Sequence, residues 1–385
     1  MNNIPPVDLA RQYKSLENEI NAAVLDVLAS GRYIGGSLVE SFEQQFAQYT
    51  GVSHSVACNS GTDALYLALR ALDIGPGDEV ITTPFTFIAT AEVISVVGAT
   101  PVFVDIDPQT FNIDPNLIET AITSKTKAIL PVHLFGQPAD MTRLMEIAQS
   151  HGLAIIEDCA QATGAAWHGR KIGSIGHIGC FSFFPTKNLG ACGDGGIVTT
   201  NDEALAAKIR MLREHGSSKR YYHEATGINS RLDTLQAAIL QVKLRYLDTW
   251  NAQRNQVAAR YDQLLEPISG IILPKAPLGG ESVWNQYTIR ITDKDKEVQA
   301  DFAAPTYRDF VRSQMQERGV TSMIYYPLPL HLQPVYAVLG YQQGQLSVTE
   351  EACREVLSLP MFPELSPTQQ EQVVYALKDS LAVRG

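Results

Sequence analysis

At 385 residues, with 45% apolar and 18% charged side chains, the chain has ordinary globular composition and the length for a large domain plus a smaller one. A formal charge of −11 excludes general affinity for nucleic acid or anionic membranes. No apolar run approaches the ~18 residues of a membrane span. The start, MNNIPPVDLARQ, lacks the cationic head and apolar core of a signal peptide, so a cytoplasmic location is expected.

Up to about Tyr49 the chain reads as helices. Leu16, Ile20, Ala23, Val24 and Val27 recur at helical spacing, Phe42 and Phe46 repeat them, and GRYIGG (Gly31–Gly36) separates the two. From His54 the pattern changes to HSVAC, DEVITT, TPVFVDI, TKAILPVH and LAIIEDC, with helical stretches such as Asp63–Leu72 and Asp140–His151 between. Strands apolar on both faces and separated by helices predict an α/β fold with a mostly parallel sheet covered on both sides. In such sheets ligand groups gather at the C-terminal strand ends.

Ile178–Phe184 is another apolar run, stopped by Pro185, and Gly196 leads into the strand IVTT. Between them Lys187 sits in a turn with Asn188, Gly190, Gly193, Gly195 and Gly196. It has no helix face to snorkel along. A buried lysine loses its proton readily and can act as an amine nucleophile; a solvated hairpin lysine is the plain alternative. The five cysteines (Cys58, Cys159, Cys180, Cys192, Cys353) are odd in number and show no CxxC spacing. They predict free thiols and no metal site.

After Ser230 a helical stretch runs to about Leu265, with Leu232, Leu235, Ala238, Ile239, Val242 and Leu247 inward. It reads as the connector between a large domain, 1–245, and a smaller one, 246–385, on which the N-terminal segment is free to pack. The smaller domain shows the strand WNQYTIRI, a helix from about Tyr307 to Arg318, and two capping boxes, Ser347-x-x-Glu350 and Ser366-x-x-Gln369. Residues 293–306 read as an exposed charged loop.

Three strand ends carry candidate chemistry. In NSGTDAL, Ser60 is a good N-cap, and Gly61 and Thr62 begin a helix whose free amides suit a phosphate; a capped helix without ligand fits equally. Asp158, at the end of the strand formed by the apolar run LAII and Glu157, needs a cation or donor partner, which a structural arginine would also satisfy. Phe85 in TPFTF either covers a flat ligand or packs the core. The GxxGxxG at Gly173–Gly179 reads as turns, because no helix pattern follows. Together these parts suit a ligand with a phosphate, a flat ring holding a protonatable nitrogen, and an aldehyde: pyridoxal 5′-phosphate, PLP.

NSGTDAL, EDCAQATGA, SFFPTKNLGACGDGG and GINSRLDTLQAAIL, in this order, resemble the DegT/StrS-type PLP-dependent nucleotide-sugar aminotransferases. The resemblance extends to GRYIGG, GPGDEVITTPFTFIATAEVI, YYPLPLHLQPVY and LSLPMFPEL, and so spans nearly the whole chain. It implies the fold-type I architecture, with a seven-stranded sheet in the large domain and a smaller α/β C-terminal domain. It also implies a cytoplasmic homodimer with shared active sites.

Carried over by residue, the resemblance puts the PLP Schiff base on Lys187, Asp158 at the pyridine nitrogen and Gln161 near the ring hydroxyl. Phe85 would stack on the ring. Gly61, Thr62 and Ser182 would hold the phosphate, joined by Asn229 from the partner subunit. The implied substrates are an amino-acid donor, glutamate in most relatives, and a keto-sugar nucleotide in a ping-pong scheme. The pairing of RYYH with GINSRLD favours a 3-keto over a 4-keto sugar. Tyr33 and His331 belong to segments that line the sugar pocket. Arg213, Lys219 and Arg220, beside Tyr221 and Tyr222, are candidates for the diphosphate, a solvated loop being the alternative. Cys192 and Trp284 stand where tyrosine is common. A sibling sugar dehydratase carries histidine in place of the lysine, so Lys187 opposes that alternative. A regulatory PLP-binding homologue without turnover is the other.

Overall fold

The computed structural model describes residues 3–292, 302 and 304–383; most of the 293–306 loop lies outside them. Seven strands form the main sheet: β1 His54–Cys58, β2 Glu79–Thr82, β3 Thr100–Phe103, β4 Thr126–Leu130, β5 Ala154–Asp158, β6 Ile178–Ser182 and β7 Gly196–Thr200. Their spatial order is β1-β7-β6-β5-β4-β2-β3. From β6 to β3 all pairings are parallel, whereas β7 runs antiparallel to both neighbours.

Alternation along each strand explains why the strands are apolar throughout. Val56, Val80, Ala128, Ile156, Ile178 and Val198 face one core, shared with the Gly61–Ala71 and Glu203–Arg213 helices. Their neighbours in sequence face the other side. Ile81, Ile129 and Ile155 meet the Met141–His151 helix, and Ala57, Phe181 and Ile197 meet Phe42 and Phe46 of the Ser37–Thr50 helix. Successive side chains point to opposite faces, and both faces are covered.

The antiparallel β7 matters for the site. A parallel neighbour would require a crossover to the far edge. Here the chain instead returns at once after Ser182, so residues 183–195 form a loop at the C-terminal end of β6. Cys58, Gly196 and Ser182 sit side by side in register across β1, β7 and β6. The ends of β1 and β6 and the start of β7 therefore share one edge with Asp158, the last residue of β5.

A second, three-stranded antiparallel sheet, formed by Ile271–Ile272, Tyr287–Ile291 and Val356–Leu359, has its own core with Tyr261, Val311, Met315 and Leu377. Ile4 packs into that core and its amide donates to the Gly319 carbonyl at 2.8 Å. The start of the chain thus rests on its final third.

Several local expectations need correction. The stretch after Ser230 becomes helical only at Thr234, and it breaks into two helices, Thr234–Leu244 and Leu247–Leu265. The first packs Ile239 and Val242 against Leu16 and Ile20, while the second turns Val257 and Tyr261 into the other core. Two partners in different directions require the bend. The Ser347 box does not form: Ser347 is already inside its helix, and Glu350 folds back onto the Gly344 amide at 2.8 Å. The Ser366–Gln369 box forms as read, and a third joins Thr306 to Asp309.

The glycine-rich turns at 173–179 hold a buried anion. Glu157 accepts from the amides of Gly173 (2.8 Å), Ile175 (2.9 Å) and Gly176 (2.7 Å). It also meets His133 Nε2 at 3.1 Å. His133 Nδ1 accepts the Ala139 amide at 3.0 Å, which leaves Nε2–H to donate. His133, Glu157 and Cys159 come close enough to share a metal ion. Each carboxylate oxygen already takes two donors, however, so the cluster works as an internal staple.

Burial pushes the Glu157 pKa up, but the hydrogen bond from His133 and those from the Gly173 and Gly176 amides outweigh it, leaving it below the ordinary 4.5. Its stabilisation is therefore complete above that value and is lost as pH falls through the folded pKa. Glu157→Gln sets an amide NH2 against N–H donors, and a loss of about 3 kcal/mol is expected in urea unfolding at pH 7. A change below about 0.5 kcal/mol, the scale of an ordinary surface substitution, would contradict the staple.

Candidate active site

The strand ends bring three features together. At the end of β1, Ser60 caps the Gly61–Ala71 helix by accepting the Asp63 amide at 3.0 Å. The Gly61 and Thr62 amides, in the first turn, have no carbonyl of their own helix to meet. A Cβ on Gly61 would lie 2.5 Å from Ser182 Cβ, so only glycine lets the helix start approach the end of β6 this closely. Ser182 Oγ accepts the Phe184 amide at 3.3 Å and keeps its proton for another acceptor. Amides, a hydroxyl and the positive end of a helix form a cradle for a phosphate.

Lys187 follows on a loop that is pinned at each turn. Its amide donates to the Phe184 carbonyl at 2.9 Å. Asn188 Nδ2 donates to Asn251 Oδ1 (2.8 Å) and the Val283 carbonyl (2.9 Å), and its Oδ1 accepts from Asn285 at 2.9 Å. The buried Lys243 ammonium donates to the Gly190 carbonyl at 2.7 Å. A Cβ on Gly190 would come within 2.2 Å of the Pro185 carbonyl, so the tight return needs glycine. Loss of hydration, opposed by the charge of Asp158, brings the Lys187 pKa down from 10.5 to about 8.

Asp158 is the counterpart. Burial raises its pKa; the Ala160 amide, the Thr90 hydroxyl and the charge of Lys187 act against that. Ala160 donates to Oδ1 at 3.1 Å and Thr90 to Oδ2 at 2.9 Å. No arginine reaches it among the described residues, so the plain salt-bridge alternative falls away. Gln161 is oriented from both ends: Oε1 accepts the Phe135 amide at 2.7 Å and Nε2 donates to the Tyr326 hydroxyl at 3.2 Å. One N–H of that amide remains for a ligand oxygen.

Phe85 does not have the position expected of it. It is 0% exposed, enclosed by Phe111, Phe135 and Tyr326. The ring with a free face is Phe87, 57% exposed and 6.4 Å from the Tyr326 ring. Both phenylalanines lie in TPFTF, where the irregular backbone gives no alternation to tell them apart. Thr90 meets Asp158, Tyr326 meets Gln161 and Phe87 lies beside Tyr326, and the motifs in the sequence pointed to none of the three.

The substrate candidates are scattered. Tyr33 is partly exposed, and its carbonyl accepts the Thr234 amide at 2.9 Å. Lys219 and Tyr222 stand on an exposed turn, the ammonium 5.0 Å from the ring centre, with Arg220 stacked on Tyr221. His331 is only 1% exposed, its Nε2 3.1 Å from Glu350, so it offers no open face as expected of a pocket wall. Burial lowers its pKa against the pull of Glu350. Asn229 is exposed in a recess of about 430 Å³ with Ile34, Asn59, Gly193, Asp194 and Arg231, and Lys187 does not line that recess. Ser230 does not cap a helix; its buried hydroxyl donates to Asn59 Oδ1 at 3.2 Å.

Residues 14–378 match the family model described as the DegT/DnrJ/EryC1/StrS aminotransferase family. The chain is 52% identical over 374 residues to a "Pleiotropic regulatory protein" of Geobacillus stearothermophilus, covering 97% of each. It is 46% identical over 376 residues to the dTDP-3-amino-3,4,6-trideoxy-alpha-D-glucose transaminase of Streptomyces venezuelae, covering 98% of this chain and 96% of the other. The crystal structure of S. venezuelae DesV in complex with a ketimine intermediate superposes with a TM-score of 0.94 at 45% identity, over 100% of both chains. Among the described residues no helix is long and apolar enough to cross a membrane. The chain belongs to the DegT/DnrJ/EryC1/StrS aminotransferase family.

Proposed function

We propose that this aminotransferase uses PLP held on Lys187 to move an amino group from an amino-acid donor, L-glutamate, to a 3-keto-sugar nucleotide. The observation that carries this reading is the pairing, on one sheet edge, of a lysine with pKa near 8 and a buried carboxylate, beside a ready phosphate cradle. The residues fit the cofactor. Gly61, Thr62 and Ser182 would take its phosphate, Asp158 its ring nitrogen, Gln161 Nε2 its ring oxygen, and Phe87 a face of the ring. When bound, PLP supplies an aldehyde that condenses with amines and a ring that draws electrons from the adjoining carbon.

The protein's own part follows from these positions. Asp158, as carboxylate, holds a proton on the ring nitrogen, and a preorganised charge of this kind is worth several kcal/mol to the reaction. Lys187 Nζ, with a pKa near 8, is matched to taking a proton from the donor's Cα and returning one in the sugar half-reaction. The Asn188, Asn251 and Asn285 cluster keeps its loop in place for both steps.

The chain acts as a homodimer in this reading, with Asn229 completing the partner's phosphate site. Its exposure, and its recess away from Lys187, support that role. Lys219, Arg220, Tyr221 and Tyr222 are free to meet the diphosphate, and Tyr33 the sugar. The 3-keto assignment is supported by the printed names of relatives: the S. venezuelae dTDP-3-amino sugar transaminase and, at 47% identity, a UDP-N-acetyl-3-dehydro-alpha-D-glucosamine 3-aminotransferase of Acidithiobacillus ferrooxidans. A purely regulatory role would need no amine poised near neutrality.

Two outcomes test this. Borohydride reduction of the PLP-loaded protein, followed by peptide mapping, is expected to place the pyridoxyl group on Lys187, and amine labelling of the apoprotein to show Lys187 titrating near pH 8. A group on Lys171, or on no residue, would contradict the assignment. With glutamate as donor, turnover of 3-keto sugar nucleotides should exceed that of the 4-keto isomers by at least roughly ten-fold, about 1.4 kcal/mol of discrimination. Equal rates, followed by NMR of the amino-sugar product, would remove the 3-keto assignment.

A further inference from the structure

Behind Asp158 lies a short chain of hydroxyls. Thr90, in the first turn of the Ala89–Val96 helix, donates to Asp158 Oδ2 at 2.9 Å. Thr86, four residues earlier, lies 3.0 Å from Thr90, oxygen to oxygen. A threonine has one hydroxyl proton. Thr90 spends its proton on the carboxylate, so the proton in the second contact comes from Thr86. The chain therefore has a direction, Thr86 to Thr90 to Asp158, with its positive end on the carboxylate. Both threonines are buried, at most 3% exposed, so water does not compete for them.

The carboxylate is clamped from two elements. Oδ1 is tied to the Ala160 amide just beyond β5, and Oδ2 to the helix that follows β2. Each oxygen keeps one lone pair, in a plane the two donors set. The other groups acting on Asp158 do not orient it. Lys187 acts through charge, His133 turns its N–H to Glu157, and the nearby Tyr326, Cys159 and Cys180 are held protonated by burial.

We propose that Thr90, backed by Thr86, is a positioning residue that aims the Asp158 carboxylate at the ring nitrogen of PLP. This rests on the reading of Asp158 given under Proposed function. Hydrogen bonds to ionised groups are stronger than those between neutral ones, and shortest when the donor is itself polarised by a second donor. Threonine to valine keeps the shape and removes the donor.

The test measures equilibrium binding of two probes to the full-length apoprotein: PLP, and its analogue with the ring nitrogen replaced by CH. Wild type should prefer PLP. Thr90→Val should weaken PLP by roughly ten-fold, the scale of a hydrogen bond to a charged group, and leave the analogue within about two-fold. Thr90→Ser, which keeps the hydroxyl, should restore PLP to within about three-fold of wild type. Equal weakening of both probes, or of neither, overturns the proposal. Asp158→Asn separates the two levels. If it erases the preference for PLP while Thr90→Val does not, the Thr90 proposal alone fails. If it keeps the preference, the reading of Asp158 fails and takes the proposal with it. Should Thr90→Val not fold, Thr86→Val carries the test: a PLP-specific loss of about three-fold is expected, and none overturns the relay.

Discussion

An amine and a carboxylate lose water together at one edge of the sheet, and the rest of the site serves that arrangement. Burial alone would neutralise both, raising the Asp158 pKa and lowering that of Lys187. For the lysine this is useful, since an amine near pKa 8 can carry protons at neutral pH. For the aspartate it is harmful, and the protein opposes it with donors on both oxygens. The two groups are thus treated differently although they share a neighbourhood. Environments that push two titratable groups in different directions define their separate tasks.

Rigidity explains where these groups are placed. Asp158 ends a central strand, and Ser182 ends its neighbour. Lys187 alone stands on a loop, and that loop is fastened by side chains from well downstream: Lys243, Asn251 and Asn285. Asn251 belongs to the Leu247–Leu265 helix, which also feeds the second core, and Asn285 lies just before the Tyr287–Ile291 strand. Residues from 243 onward therefore help to hold the amine to which the proposed reaction gives its central part. A catalytic group on a loop needs such support to stay within a fraction of an ångström of its working position.

The sheet was legible in the sequence because its strands are apolar on both faces, a pattern few other arrangements explain. Asp158 was legible as a strand-end residue, and Lys187 as a turn residue between two strands, for the same reason; Ser182, inside a run read as far as Phe184, came from the family resemblance alone. What the sequence hid was direction. Phe85 and Phe87 differ by two positions in a segment without regular structure, and only packing against Phe111 and Phe135 decides which ring is sealed in. Ser230 looks like a helix cap, yet Asn59, 171 residues away in sequence, claims its hydroxyl. His331 sits in a segment that resembles a pocket wall, but Glu350 draws it inward. In each case a long-range partner overrides a sound local signal. The bend between Leu244 and Leu247 is the same effect at the scale of helices, where two cores outbid one continuous helix.

The central claim is that a buried, ionised Asp158 keeps the cofactor's ring nitrogen protonated. Nitrogen-15 NMR of the protein loaded with PLP labelled at that nitrogen reports its protonation directly. The account predicts a protonated pyridinium signal that persists from about pH 6 to pH 9, beyond the range where free pyridine nitrogen would remain charged. A signal of neutral pyridine nitrogen in the wild-type protein at pH 7 would contradict it.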